Sequence, residues 1–153
     1  MNSESPLSNW HFLIGKWKGG STDQYGDKGE IVSTVTFSME LGKYIIGKHD
    51  SYRNGKLENA SIGVMFYDLR NELMRRKTFF SYGFVNNEVE YHRTESEILF
   101  EVISEPVPQA FDGMKWRSYL RKVSDTEIRI GLESAKGGED FTSYGETILR
   151  KSA

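Results

Sequence analysis

In this sequence of 153 residues, few of the side chains that could do chemistry stand at a spacing that would bring them together. Near the end of the chain, Tyr144, Glu146 and Arg150 stand at even spacing, so in an extended strand they share one face. A carboxylate buried on such a face is costly unless a cation pairs with it or water reaches it. If the face points inward, Glu146 therefore needs a buried partner, Arg76 or Arg117, or a wet cavity. A bulge in the strand would instead turn Glu146 to solvent.

The three histidines are His11, His49 and His92, and none stands at metal-ligand spacing from another. We therefore expect no metal site. His49 alternates with Gly47 in the run 43–52, so it is the histidine that could face a cavity, with a surface position as the alternative. The sequence contains no Gly-x-Ser-x-Gly elbow, no recognisable Ser, His and Asp arrangement and no glycine-rich phosphate loop.

The charged residues in the middle of the chain predict one interior cation at most. Consecutive strand residues face opposite sides, so the basic run 70–77 cannot line a single cavity, and most of it is expected to be solvated. Arg76 is the candidate for an interior positive charge. Glu88, Glu90 and His92 alternate and are expected to face water.

Composition excludes several classes of protein. The chain has no cysteine, which removes disulfide scaffolds and thiolate sites. It carries 20 Lys and Arg against 22 Asp and Glu, a balance that offers nothing to nucleic acid or an anionic membrane surface. The longest apolar run, 62–67, is far shorter than the ~20 residues of a membrane span. No signal peptide is evident, so we expect a cytoplasmic protein. The length predicts a single domain over residues 1–153, and we expect no cofactor.

Hydrophobic periodicity predicts an all-β fold. A short helical turn after Ser5-Pro6 is followed by runs with period two, such as Val35, Phe37 and Met39. Turn signals separate these runs at regular intervals; Asn54-Gly55, typical of a primed hairpin turn, is the strongest, and Asn86-Asn87 is another. The pattern predicts an antiparallel up-and-down β-barrel of about ten strands, because closure removes exposed strand edges. A two-sheet sandwich is the alternative.

The opening motif resembles a known signature. Gly15-Lys16-Trp17, preceded by a short helical turn, resembles the Gly-x-Trp signature on the first strand of the calycins, the superfamily of lipocalins and fatty-acid-binding proteins. The final run 144–151, with a basic residue near its end, looks like the terminal calycin strand. The whole chain, with 63–68 in the middle, is similar to small lipocalin-like domains of bacteria and archaea. The resemblance implies that Trp17 seals one barrel end beneath Arg150, with Gly15 letting the first strand bend.

Haem is the one cofactor that a related design suggests. Nitrobindin-like barrels ligate haem through a histidine near the last strand, and residues 140–151 here contain none. We therefore do not expect haem.

These observations predict binding of a small apolar or amphipathic molecule inside the barrel, without catalysis. The loop Ser104–Met114, the longest predicted, would rim the mouth. One alternative is an isomerase-type or lyase-type enzyme that uses Glu146 with Tyr144 or His49 as acid and base. Another is a barrel with a filled interior that acts as an interaction module. The residues predicted to bind the ligand are Phe37, His49, Arg76, Phe100, Trp116, Ile130, Tyr144 and Glu146.

Overall fold

The computed structural model describes residues 5–23, 31–103 and 113–152. A 3-10 helix, Pro6–Leu13, precedes ten strands. The strands are β1 (Gly15–Asp23), β2 (Ile31–Glu40), β3 (Tyr44–Arg53), β4 (Lys56–Asp68), β5 (Leu73–Phe80), β6 (Val85–Arg93), β7 (Glu97–Val102), β8 (Met114–Ser124), β9 (Glu127–Lys136) and β10 (Thr142–Lys151).

The strands form one closed barrel. Each pairs antiparallel with its neighbours in sequence, and β1 also pairs with β10. Closure leaves no free strand edge in the ring, which confirms the predicted up-and-down barrel and excludes the sandwich.

The turns follow the sequence at one predicted hairpin and depart from it at another. Asn54 and Gly55 both have positive φ, 51° and 79°, as a primed two-residue turn requires. The turn predicted at Asn86-Asn87 is wrong, because both residues lie inside β6. The chain reverses instead at residues 81–84, where Gly83 has a φ of 93°.

The N-terminal helix plugs one end of the barrel. Ser5 accepts a hydrogen bond from the Leu7 amide at 3.2 Å, which caps the helix as the Ser5-Pro6 signal predicts. The apolar side chains of this helix are buried against Trp17. The Trp17 indole N–H donates a hydrogen bond to the Leu13 carbonyl oxygen at 2.7 Å. The predicted position of the tryptophan at a barrel end is therefore what the structure shows.

The basic residue that covers Trp17 is Lys151, and the prediction of Arg150 is wrong. Lys151 is the register partner of Trp17; its Nζ lies 5.6 Å from the indole ring centroid and donates to the Phe12 carbonyl oxygen at 2.7 Å. Arg150, one residue earlier, points outward with 70% of its side chain exposed and pairs with Glu127. Gly15 has a φ of 132°, and a Cβ there would lie 3.1 Å from Lys151 Cε, so the lysine crosses a position that favours glycine.

Candidate functional site

The barrel encloses a cavity of about 560 Å³ above the helical plug. This volume lies within the range of about 300–1,000 Å³ that is typical of small-molecule sites. It contradicts the alternative of a filled interior. The apolar side chains that line it are Leu13, Ile31, Val35, Phe37, Ile45, Met65, Phe80, Leu120, Ile130 and Leu132.

A buried ion pair forms the polar part of the cavity wall. Arg76 donates from Nε to Glu88 Oε2 at 2.5 Å and from Nη2 to Glu88 Oε1 at 2.9 Å. Ser118 donates to Glu88 Oε1 at 2.8 Å and accepts from Arg76 Nη2 at 3.2 Å, and Thr78 donates to Glu88 Oε2 at 3.4 Å. Every described polar contact of the carboxylate is thus a hydrogen bond from a cavity residue, as a buried charge requires.

Strand register brings this pair together. Arg76 on β5 is directly opposite Glu88 on β6, and both side chains point inward. The guanidinium also lies over the Phe100 ring, 4.9 Å from its centroid. Burial opposes the charge of Arg76, but the Glu88 carboxylate holds the pKa of Arg76 above its ordinary value. Arg76 is therefore a permanent cation whose charge is matched within the wall.

A second polar group lies on β2 and β3. His49 Nε2 is 3.3 Å from the Ser51 hydroxyl, which is 3.3 Å from the hydroxyl of Ser33. Burial lowers the pKa of His49 from 6.5; Asp50 opposes the shift and the Arg76 charge adds to it. His49 is therefore a neutral imidazole at pH 7, with one nitrogen that donates and one that accepts.

Aromatic rings gather at the end of the barrel opposite the plug. Phe80, Tyr82 and Phe84 surround the β5–β6 turn with ring centroids 5.2–5.8 Å apart. Phe80 and Tyr82 line the cavity. Arg53 and Glu58, which also line it, form an ion pair at 2.6 Å. The predicted rim loop, Ser104–Met114, lies outside the described residues except for Gly113 and Met114.

Six of the eight residues predicted to bind the ligand border the cavity, and two do not. Phe100 is fully buried beneath Arg76, in the core rather than at the cavity surface. Trp116 packs edge-on against Tyr144 with centroids 4.8 Å apart, so it supports a lining residue without lining the cavity itself. The six that border the cavity are Phe37, His49, Arg76, Ile130, Tyr144 and Glu146.

The carboxylate of Glu146 is engaged away from Tyr144 and His49. Glu146 is the register partner of Gly131, and Gly131 is the register partner of Tyr119, so the three residues share the outward face of the barrel. There the Glu146 carboxylate accepts a hydrogen bond from the Tyr119 hydroxyl and lies 3.6 Å from Arg129 Nη1. The register shifts between Ser143 and Gly145, so Tyr144 still reaches the cavity. Glu146 thus contacts Tyr119 and Arg129, neither of which the sequence suggested as its acid or base partner.

Glu88 and Ser118 are cavity residues that the sequence reasoning missed. Glu88 was expected to face water and is instead 5% exposed. Glu90 was expected to do the same, and its side chain is 7% exposed, whereas His92, beyond a register shift, is exposed as predicted. The misplaced turn at Asn86-Asn87 hid the pairing, because a turn around Gly83 puts Arg76 opposite Glu88. An acidic residue opposite an inward arginine was the signal that could have found it.

Two further features bear on function. Within the described residues, no group of three or more His, Cys, Asp or Glu side chains could hold a metal ion. None of the helices described there has the length and apolar character to cross a bilayer.

The fold and this site define a class of protein: a closed ten-stranded antiparallel β-barrel around a cavity with apolar walls and a buried polar cluster. Solved structures share the fold at low identity. A crystal structure of Rv2717c from M. tuberculosis matches over 99% of this chain and 100% of that one, with 16% identity and a TM-score of 0.74. An S-type phycobiliprotein lyase, CPES from Guillardia theta, matches over 98% and 94%, with 10% identity and a TM-score of 0.58. A redesigned β-barrel matches over the full length of both chains, with 12% identity and a TM-score of 0.51.

No protein-family model matches the sequence, and no curated protein does. The similarity to solved structures therefore shows the fold of this chain and nothing more specific.

Proposed function

We propose that this protein binds one small amphipathic molecule inside its barrel. The observation that carries the proposal is the cavity of about 560 Å³, in which apolar walls from most strands meet a few fixed polar groups. Apolar walls supply affinity at about 25 cal/mol per Å² of buried surface, and a few fixed polar groups supply orientation.

The interior has the features of a site rather than of a packed core. A core that served only stability would fill this volume with side chains, because empty space costs stability. Here, three of the inward positions on β3 and β4 are occupied by small residues, Ser51, Ser61 and Gly63, which border the space instead of closing it.

Native mass spectrometry of the freshly purified protein tests the proposal. We expect a non-covalent adduct of small-molecule mass, or uptake of the uncharged dye Nile red into a single site. A Cβ at Gly63 would meet Thr78 Oγ1 at 3.8 Å and Arg76 Cδ at 3.9 Å, both ordinary contacts, so Gly63→Leu should fold and narrow the cavity.

Gly20→Leu is the matched control, because Gly20 is exposed on β1 and a Cβ there meets only Ile31 O, at 3.4 Å. Weaker binding of the adduct and of the dye in Gly63→Leu, with unchanged binding in Gly20→Leu, is the expected result. Equal binding by both variants would place any ligand outside the barrel and refute the proposal.

Membership of the calycin superfamily remains part of this proposal, supported by the Trp17 plug and the barrel. The cytoplasmic location, the single domain over 1–153 and the lack of a nucleic-acid partner stay predictions from the sequence.

A further inference from the structure

We infer that the cavity selects an uncharged amphipathic molecule, with a hydroxyl, carbonyl or amide as its polar group, over a carboxylate of the same size. This inference rests on the proposed function and adds the chemical class of the ligand.

The ionisable groups of the cavity wall are matched in pairs. Arg76 is bound bidentately by Glu88, and Arg53 pairs with Glu58 nearer the mouth. The carboxylate of Glu146 turns away from the cavity and is held on the outward face by Tyr119 and Arg129. The described wall therefore offers a ligand no surplus charge of either sign.

An anionic ligand could gain a matching cation only by displacing Glu88 from Arg76, because a carboxylate that bound Arg76 with Glu88 in place would put two anions beside one cation. Glu88 is 5% exposed, and its two oxygens accept four hydrogen bonds, from Arg76 twice, Ser118 and Thr78. Displacement would leave a carboxylate buried without its cation, and breaking a buried pair in this way is strongly unfavourable. An ammonium ligand meets the same obstacle from the side of Arg76.

The remaining polar groups suit a neutral partner. Among the described residues, nothing hydrogen-bonds to Arg76 Nη1, so its N–H groups can donate to a ligand oxygen while Glu88 stays in place. The neutral His49 and the Ser51 hydroxyl, which line the cavity, can each donate or accept. Groups of both kinds match a hydroxyl, a carbonyl or an amide.

Displacement of Nile red by decanol, decanoate and decylamine tests the inference, because the three share one alkyl chain. At a pH of about 8, decanoate and decylamine are charged. We expect decanol to displace the dye at a concentration about tenfold lower than decanoate or decylamine, given the cost of an unmatched buried charge.

Glu88→Gln removes the negative charge, leaves Arg76 unmatched and should shift the preference to decanoate by about tenfold or more. Glu97→Gln is the matched control, because Glu97 pairs with Arg121 on the outer surface and its loss should leave the preference unchanged. If Glu88→Gln does not fold, Ser61→Lys introduces an unmatched cation at another cavity position and should shift the preference in the same direction.

The outcomes separate the two proposals. Equal displacement by all three compounds, or an unchanged preference in a folded Glu88→Gln or Ser61→Lys variant, would overturn the inference about charge and leave binding intact. A folded wild-type protein that takes up neither Nile red nor any of the three compounds would overturn the proposed function itself.

Discussion

Arg76 and Glu88 face each other across β5 and β6 inside the barrel, joined by two hydrogen bonds of 2.5 and 2.9 Å. The pair is enclosed by Phe100 beneath the guanidinium and by Ser118 beside the carboxylate. The Arg76–Glu88 pair places two opposite charges in the wall of the cavity, so it adds polar groups but no net charge to the barrel interior.

Glu88→Ala should lower the free energy of unfolding by about 3–5 kcal/mol, because it leaves a buried guanidinium without its partner. The double variant Arg76→Met/Glu88→Leu should lose much less, since apolar side chains of similar size remove both charges together. Urea denaturation measures both values. If the single and double variants lost the same free energy of unfolding, lost packing, rather than the unmatched charge of Arg76, would explain the destabilisation.

Lys151→Met should destabilise the protein by about 1–3 kcal/mol, because it removes a charged hydrogen bond to Phe12 and the contact with the Trp17 ring. Arg150→Met should change stability by no more than about 0.5 kcal/mol, since its ion pair is at the surface. Thermal unfolding of the two variants shows which of the two adjacent residues, Lys151 or Arg150, stabilises the Trp17 plug. A larger effect at Arg150 would refute the assignment of Lys151 to the plug.

His49 should make stability depend on pH below its unfolded pKa. Burial depresses the folded pKa of His49, so the unfolded chain binds a proton more readily than the folded protein does. The contribution is fully present above a pH of about 6.5 and is lost as the pH falls towards the folded value. His49→Gln should flatten the stability profile in this window. An NMR titration midpoint at or above 6.5 for the His49 ring would contradict the shift.

Gly131 and Tyr119 should be energetically coupled. A Cβ at Gly131 would lie within 2.0 Å of Tyr119 Cζ, because the tyrosine ring crosses the glycine to reach Glu146. Gly131→Ala should therefore lower the free energy of unfolding of the wild-type protein by about 1–3 kcal/mol or more, as overpacking does. In a Tyr119→Ala background the same change should be nearly neutral or mildly stabilising. A double-mutant cycle measured by urea denaturation gives the coupling, and additive effects would show that the ring does not lie there.

Local signals predicted much of the architecture. The alternation of Val35, Phe37 and Met39 and the Asn54-Gly55 turn depend on neighbouring residues alone, and both appear in the structure as expected. Burial of Trp17 also followed from its motif and position.

The sequence predicted the wrong face of the barrel wall for several side chains. Side chains alternate at every residue, so an error of one position reverses the face of a whole run. The bulge between Ser143 and Gly145 keeps Tyr144 at the cavity while Glu146 and Arg150 turn outward, and Lys151 takes the role expected of Arg150. The misplaced β5–β6 turn concealed Glu88 in the same way.

The sequence by itself determined a chain of short amphipathic strands joined by tight turns, with an indole at one end and no motif for nucleophilic or metal chemistry. Tertiary structure alone decided that the interior is hollow and that its charges are matched. The physical reason is that hairpin periodicity is local, whereas a cavity and the Arg76–Glu88–Ser118 cluster depend on the register and closure of strands far apart in the chain.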